Sequence, residues 1–240
     1  MLQNISFDNL LLLDIETVPQ YAAYSQLPEN IKNLWEKKTT YLRKDNQTPE
    51  DLYERAGIYA EFGKIICISV GVFDTNNKLP NLRIKSFYDE DEKKILANFA
   101  RLLDGMADRK NMQLCAHNGK EFDFPYIARR MVINKFRLPY VLDISGKKPW
   151  ETNFIDTMEL WKFGDYKHYT SLELLTTILN IPNPKDEIDG SMVASIYWNE
   201  KDFELIVKYC EKDVIAIAQL IRRFKGEELI RDQDIIRIKD

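Results

Sequence analysis

Glycine and proline are scarce, nine of each in 240 residues, so neither a collagen-like repeat nor a Pro/Gly-rich disordered chain is in play. Cysteine is rarer still. Cys67, Cys115 and Cys210 form no CxxC pair, each stands in an apolar run, and an odd number cannot all pair internally. Buried, reduced thiols are the expectation, as in a chain that works in the cytoplasm. No apolar run approaches the roughly 18 residues of a membrane-spanning helix, since the longest, Ile65 to Phe73, is broken by Ser69 and Gly71. The opening MLQNISFDNL has neither the basic start nor the apolar core of a secretory signal. A soluble, cytoplasmic protein without membrane contact is therefore expected. No GxxxxGK loop appears, which argues against an NTPase, and His117 and His168 have no zinc-ligand spacing with each other or with the cysteines.

What is present is enough apolar residue, 45%, for one sizeable globular domain over residues 1–240. Basic and acidic side chains number 34 and 38, a net charge of -4 that disfavours indiscriminate nucleic-acid binding over the whole surface. A local basic groove stays open. Between Arg129 and Lys148 the chain carries Arg129, Arg130, Lys135, Arg137, Lys147 and Lys148 against the single acid Asp143, which fits either a solvated helix face or a track for a strand backbone.

Leu10 to Leu13 is a continuous apolar run ending in Asp14, Ile15, Glu16, Thr17, and it predicts a buried central strand. Residues 21–48 read as irregular and polar. Thr48, Pro49, Glu50 and Asp51 then predict a helix over about 49–60, so 20–63 reads as an insertion after the first strand. Lys64–Phe73 and Asn81–Tyr88, separated by the turn signal Asp74 to Asn77, predict a hairpin. Helical spacing recurs over Asp91–Met106 and Phe124–Phe136, and short strands are expected at Met112–Ala116 and Phe154–Thr157. Ser171–Leu179, Ser191–Trp198 and Asp202 to about Phe224 are expected to be helical. This order indicates an α/β domain around one central mixed, five-stranded sheet flanked by helices.

Three acidic groupings carry the chemistry. Asp14 and Glu16, two apart on a strand, point to one face at its carboxyl end, where like charges repel unless a cation sits between them. Such hard oxygen donors select Mg²⁺ or Mn²⁺. Asp123 follows the buried strand and turn Ala116 to Phe122, where a helix begins and an acid also gains from the helix N-terminus. Tyr209 and Asp213, four apart, share one face of the last helix. Each grouping alone also fits a bland origin: a strand end reaching solvent, an N-cap, ordinary helix surface.

Their joint order resembles the DEDD superfamily of 3′-5′ exonucleases, which have a ribonuclease H-like fold. Asp14 and Glu16 in LLLDIET match its first motif, Asn118, Phe122 and Asp123 in HNGKEFD its second, and Tyr209 and Asp213 in YCEKD the third motif of the tyrosine subclass. The histidine subclass would need His at 208, which is Lys. EFGKIICISVG, HYTSLELL and IDGSMV further resemble stand-alone bacterial predicted exonucleases similar to the proofreading domain of family-B DNA polymerases. The long insertion departs from that pattern.

The resemblance implies phosphodiester hydrolysis with two divalent ions, Mg²⁺ or Mn²⁺, held by Asp14, Glu16, Asp123 and Asp213. Tyr209 would hydrogen-bond the attacking water, completing a catalytic set of Asp14, Glu16, Asp123, Tyr209 and Asp213. Asn118, Phe122 and Thr17 are the expected substrate contacts. The implied partner is nucleic acid, single-stranded or frayed DNA 3′ ends by the likeness to proofreading domains. An RNA-directed enzyme of the same mechanism and a silent nucleic-acid-binding module are the alternatives.

Overall fold

The computed structural model describes residues 2–75, 81–106, 111–165, 169–182 and 188–238. Its six strands are β1 (Leu10–Pro19), β2 (Gly63–Asp74), β3 (Asn81–Tyr88), β4 (Gln113–Ala116), β5 (Ile155–Asp156) and β6 (Ile235–Arg237), arranged in the order β5-β4-β1-β2-β3-β6. The β1–β2 and β2–β3 pairs are antiparallel, whereas β4 and β5 run parallel to β1. The mixed sheet thus carries the five expected strands and one more. β6, at the far edge beside β3, is too short for a readable pattern; it is held by pairing with Leu82–Ile84 and by an ion pair from Arg237 to Glu211, 2.8 Å.

The α-helices of the described residues are α1 (Glu29–Thr39), α2 (Glu92–Gly105), α3 (Asp123–Ile133), α4 (Thr157–Lys162), α5 (Leu172–Ile178), α6 (Val193–Ser195) and α7 (Phe203–Phe224). β1 alternates between two covered faces, which is why it reads as one unbroken apolar run. Leu11, Leu13 and Ile15 join the core under α2 and α3, while Leu10 and Leu12 join Val214, Ile217, Ala218 and Ile221 of α7. α7 lies close on the sheet because β2 carries Gly71: a Cβ there would stand 2.8 Å from Val214 Cγ1. Local caps set the helix starts, with Asp91 accepting from the Lys93 N–H and Asp202 from the Leu205 N–H. No helix of the described residues is long and apolar enough to cross a membrane.

Between β1 and β2 the structure departs from expectation. α1 forms where the sequence looked irregular, because its few apolar residues serve a small local core rather than the main one. Trp35 is fully buried among Leu27, Leu52, Tyr53, Ala56 and Phe62, and its indole N–H donates to the Pro49 carbonyl at 2.8 Å. The helix expected over 49–60 is instead a run of 3₁₀ turns, Glu50–Ile58, with Thr48 and Asp51 exchanging hydrogen bonds at its start. The segment is tied to α3 by the Tyr126 hydroxyl, which donates to the Gly57 carbonyl at 2.7 Å. The helix expected over Ser191–Trp198 shortens to α6 and continues as a π-helical turn, Ile196–Glu200. Asn76, Asn77 and His168 lie outside the described residues.

Arg130 must also be moved from the expected basic surface to the interior. Only 3% exposed, it pairs with buried Glu92 at 2.5 Å. Glu92 further accepts from the Ile65 N–H at 2.7 Å, and Arg130 donates to the Ala60 carbonyl at 2.8 Å, so each nitrogen and oxygen of the pair has a hydrogen-bond partner.

Candidate active site

The β1 row facing α7 runs Leu10, Leu12, Asp14, Glu16, Val18. Apolar clusters lie on both sides of the two acids: Leu10 and Leu12 with the middle of α7, and Val18 with Cys67, Ile206 and Cys210 near its start. Asp14 is half-buried and Glu16 is 8% exposed. From α7 the Cys210 thiol donates to the Asp14 carboxylate, Sγ to Oδ2 3.3 Å, and the ligand atoms of Asp14, Glu16 and Cys210 lie within 4.8 Å of one another. Two carboxylates at that separation repel by at least about 3 kcal/mol at an effective dielectric near 20. One weak thiol hydrogen bond cannot offset this, so a proton or a cation must. Accordingly both carboxyls are held well above the ordinary range, Asp14 by burial and then by Asp213, Asp123 and Glu16, Glu16 by burial and then by Asp213, Cys67 and Asp123.

A register shift follows at once. Glu16 pairs with Cys67 but Thr17 pairs with Ile65, so β2 carries one extra residue at this point, a bulge beside the acids. Thr17 is half-buried there, and its side chain hydrogen-bonds the Tyr126 phenol.

β4 stops at Ala116 and leaves the end of β1 uncovered on that edge. Asp123, the first residue of α3 and 3% exposed, fills the gap: its carboxylate accepts from the Ile15 N–H and from its own. Burial pushes it up to about 8, with Asp156 and Asp213 adding to the rise and the two N–H groups opposing it. The intervening turn is built around Asp156, which accepts from the N–H groups of Asn118 (2.9 Å), Lys120 (3.1 Å) and Met158 (2.9 Å). Asn118 takes the left-handed conformation, φ 59°, one that an asparagine tolerates, and its buried Oδ1 has no partner among the described residues. Gly119 follows where nothing larger fits, since a Cβ would stand 2.4 Å from that of Ala116. Phe122 is half-buried, its ring 5.4 Å from that of Tyr126.

Tyr209 and Asp213 lie one turn apart on α7, flanking Cys210. The Tyr209 hydroxyl lies close to Gly190, where a Cβ would be 3.9 Å away, so the IDGSMV stretch abuts the phenol tip. Asp213 acts on the charges of Asp14, Glu16 and Asp123 alike. The four acids read from the sequence therefore converge from β1, α3 and α7, and Tyr209 lies on α7 one residue before Cys210.

Two further residues come in that the sequence had not singled out as part of the site. Cys210 read as a core thiol, although its place between Tyr209 and Asp213 was the available signal; burial holds it protonated and thus a donor to Asp14. Tyr169, in the HYTSLELL stretch, is 65% exposed, and its phenol is pushed up by partial burial and by Asp156, Asp123 and Asp213, so it stands within electrostatic reach of the acids. His117 is structural: its ring bridges Thr157 Oγ1 and the Thr170 carbonyl, both at 2.9 Å.

The family described as "Predicted 3'-5' exonuclease related to the exonuclease domain of PolB" matches residues 58–226, more than half of the chain. The protein belongs to this family. Among solved structures, the family B DNA polymerase from the hyperthermophilic archaeon Pyrobaculum calidifontis superposes with a TM-score of 0.52 at 12% identity, over 87% of this chain and 23% of that one. That likeness is one of fold, and the fold is ribonuclease H-like.

Exonucleases of this PolB-related type normally use divalent metals, and the donor set suits them. Asp14, Glu16, Asp123 and Asp213 offer hard oxygens under mutual repulsion, whereas the Cys210 thiol is a protonated donor rather than a thiolate. The residues fit the group.

Proposed function

We propose that the protein is a metal-dependent exonuclease that removes nucleotides from the 3′ ends of single-stranded or frayed DNA. The observation that carries this reading is the pair of crowded carboxylates, Asp14 and Glu16, midway along β1 just past the point where β4 stops pairing with it, with Asp123 and Asp213 acting on both. Asp14, Glu16, Asp123 and Asp213 would hold two divalent ions, Mg²⁺ or Mn²⁺, which supply an activated water and neutralise charge on the leaving oxygen.

The chain's own groups do the rest. Cys210 orients Asp14, and the Ile15 N–H fixes Asp123. Tyr209 hydrogen-bonds the attacking water and positions it, a task suited to a phenol hydroxyl, which can both donate and accept. Asn118 Oδ1, a buried acceptor, receives a donor of the terminal nucleotide, and Phe122 packs beneath that nucleotide. Thr17 holds Tyr126 under Phe122.

The test is nucleotide release from 5′-labelled and 3′-labelled single-stranded DNA with Mg²⁺, Mn²⁺ or chelator. Stepwise shortening of the 5′-labelled strand that needs metal and vanishes in Asp14→Ala and Asp213→Ala is expected. Activity surviving in either variant would refute the site, and release from RNA alone would change the substrate while keeping the mechanism.

A further inference from the structure

We infer that Lys64 and Lys201 form the backbone-binding arm of the site, holding phosphates of the strand on the 5′ side of the linkage to be cut. This rests on the exonuclease reading above. Lys64 opposes Val18 across the β1–β2 pair, so its side chain stands on the face that carries Asp14 and Glu16. It lies two residues beyond Glu16, about 7 Å along the strand. Its ammonium donates to the Tyr197 hydroxyl at 2.7 Å and sits 4.6 Å from the Tyr197 ring and 4.7 Å from the Trp198 ring. Lys201 comes to the same two rings, at 5.3 and 5.0 Å.

The local backbone is built for this convergence. Tyr197 and Trp198 belong to the π-helical turn Ile196–Glu200, a form frequent at functional sites, and Lys201 closes it with φ 60°. The Trp198 indole N–H donates to the Pro19 carbonyl at 3.3 Å, anchoring the turn to the end of β1. Two like charges thus share one aromatic pair, and neither makes an ion pair with a carboxylate among the described residues. Glu92 and Glu90 act on Lys64 only at longer range, and Glu92 is already committed to Arg130. A polyanion satisfies both ammonium groups at once.

Alternative tracks are less well placed. The expected basic run has Arg130 buried, and the eleven residues of α3 carry the chain about 16 Å away from Asp123 before Lys135 is reached. Lys120 is paired with Glu159 at 2.6 Å. Asn118, tied to Asp156 of β5, lies on the β4 side of β1 and Lys64 on its β2 side, so a strand whose 3′ end rests on the former crosses the carboxylates and leaves past the lysines.

The experiment is fluorescence anisotropy of a labelled oligothymidylate in chelator, over a salt series. Wild type is compared with Lys64→Gln, Lys201→Gln, the double Gln variant and the double Arg variant, all matched for melting temperature. Each Gln is expected to weaken binding about three- to tenfold at ~0.1 M salt and to reduce the salt slope by about 0.7, while the double Arg variant keeps both. Hydrolysis of a substrate with a single phosphodiester, thymidine 5′-(p-nitrophenyl phosphate), should be unaltered by any of them. Lys201 is exposed, so its variant tests the inference even if Lys64→Gln fails to fold. Unchanged affinity and slope in the double Gln variant, or no oligonucleotide binding by wild type, would overturn it. Lysine-dependent binding without nucleotide release would instead overturn the exonuclease reading and leave the arm standing.

Discussion

Asp123 gives the sharpest physical test of the acidic cluster. Its carboxyl rises from 3.8 to about 8 on folding, so the folded protein keeps a proton there that the unfolded chain has already lost. Because the folded value lies above the unfolded one, the contribution of Asp123 to stability is greatest below about pH 4 and falls as pH rises, by about 1.4 kcal/mol per pH unit, until the folded carboxyl itself ionises near pH 8. The full loss is on the order of 6 kcal/mol. Asp123→Asn removes the titration while keeping an oxygen that can accept from the Ile15 N–H. In chelator the variant should melt with wild type below about pH 4 and above it at pH 9, by roughly 10–20 °C for a domain of this size. Mn²⁺ reverses the sign of the argument, since a cation favours the ionised wild-type carboxylate and should close the gap or invert it. Scanning calorimetry at pH 4, 7 and 9, with chelator and with Mn²⁺, reads all of this. Superimposable wild-type and variant profiles across that range in chelator would refute the buried, mutually repelling cluster.

Further outcomes are expected elsewhere in the framework. Gly119→Ala should cost about 1–3 kcal/mol in urea unfolding, because its Cβ meets Ala116 and the Phe124 ring, and nucleotide release should fall as Asn118 shifts. Glu92→Ala strands the buried Arg130 cation and should cost about 3–5 kcal/mol, whereas the double change to Met at 92 and 130 should recover most of it. Asp156→Ala leaves the N–H groups of Asn118, Lys120 and Met158 without their acceptor; a loss of at least about 3 kcal/mol is expected, with Asn restoring part of it, measured by the same unfolding assay.

The sequence by itself determined the elements whose cause is local. β1, the β2–β3 pair, α2 and α7 were legible because each has a long apolar period and a clear cap or breaker. The acids Asp14, Glu16, Asp123 and Asp213 with Tyr209 were legible because spacing and order along the chain survive without knowledge of contacts. What only the tertiary structure decided depends on partners distant in sequence. α1 exists because Trp35 finds Leu52, Tyr53 and Phe62, and β6 because β3 has an open edge. Arg130 is an interior cation rather than a surface one because Glu92, 38 residues earlier, meets it. Cys210 reaches Asp14 across 196 positions, and Lys64 reaches Tyr197 across 133. A one-dimensional pattern records which face a residue occupies, but a hydrogen bond or an unshielded charge is a property of two elements packed together, and packing is what only the folded chain supplies.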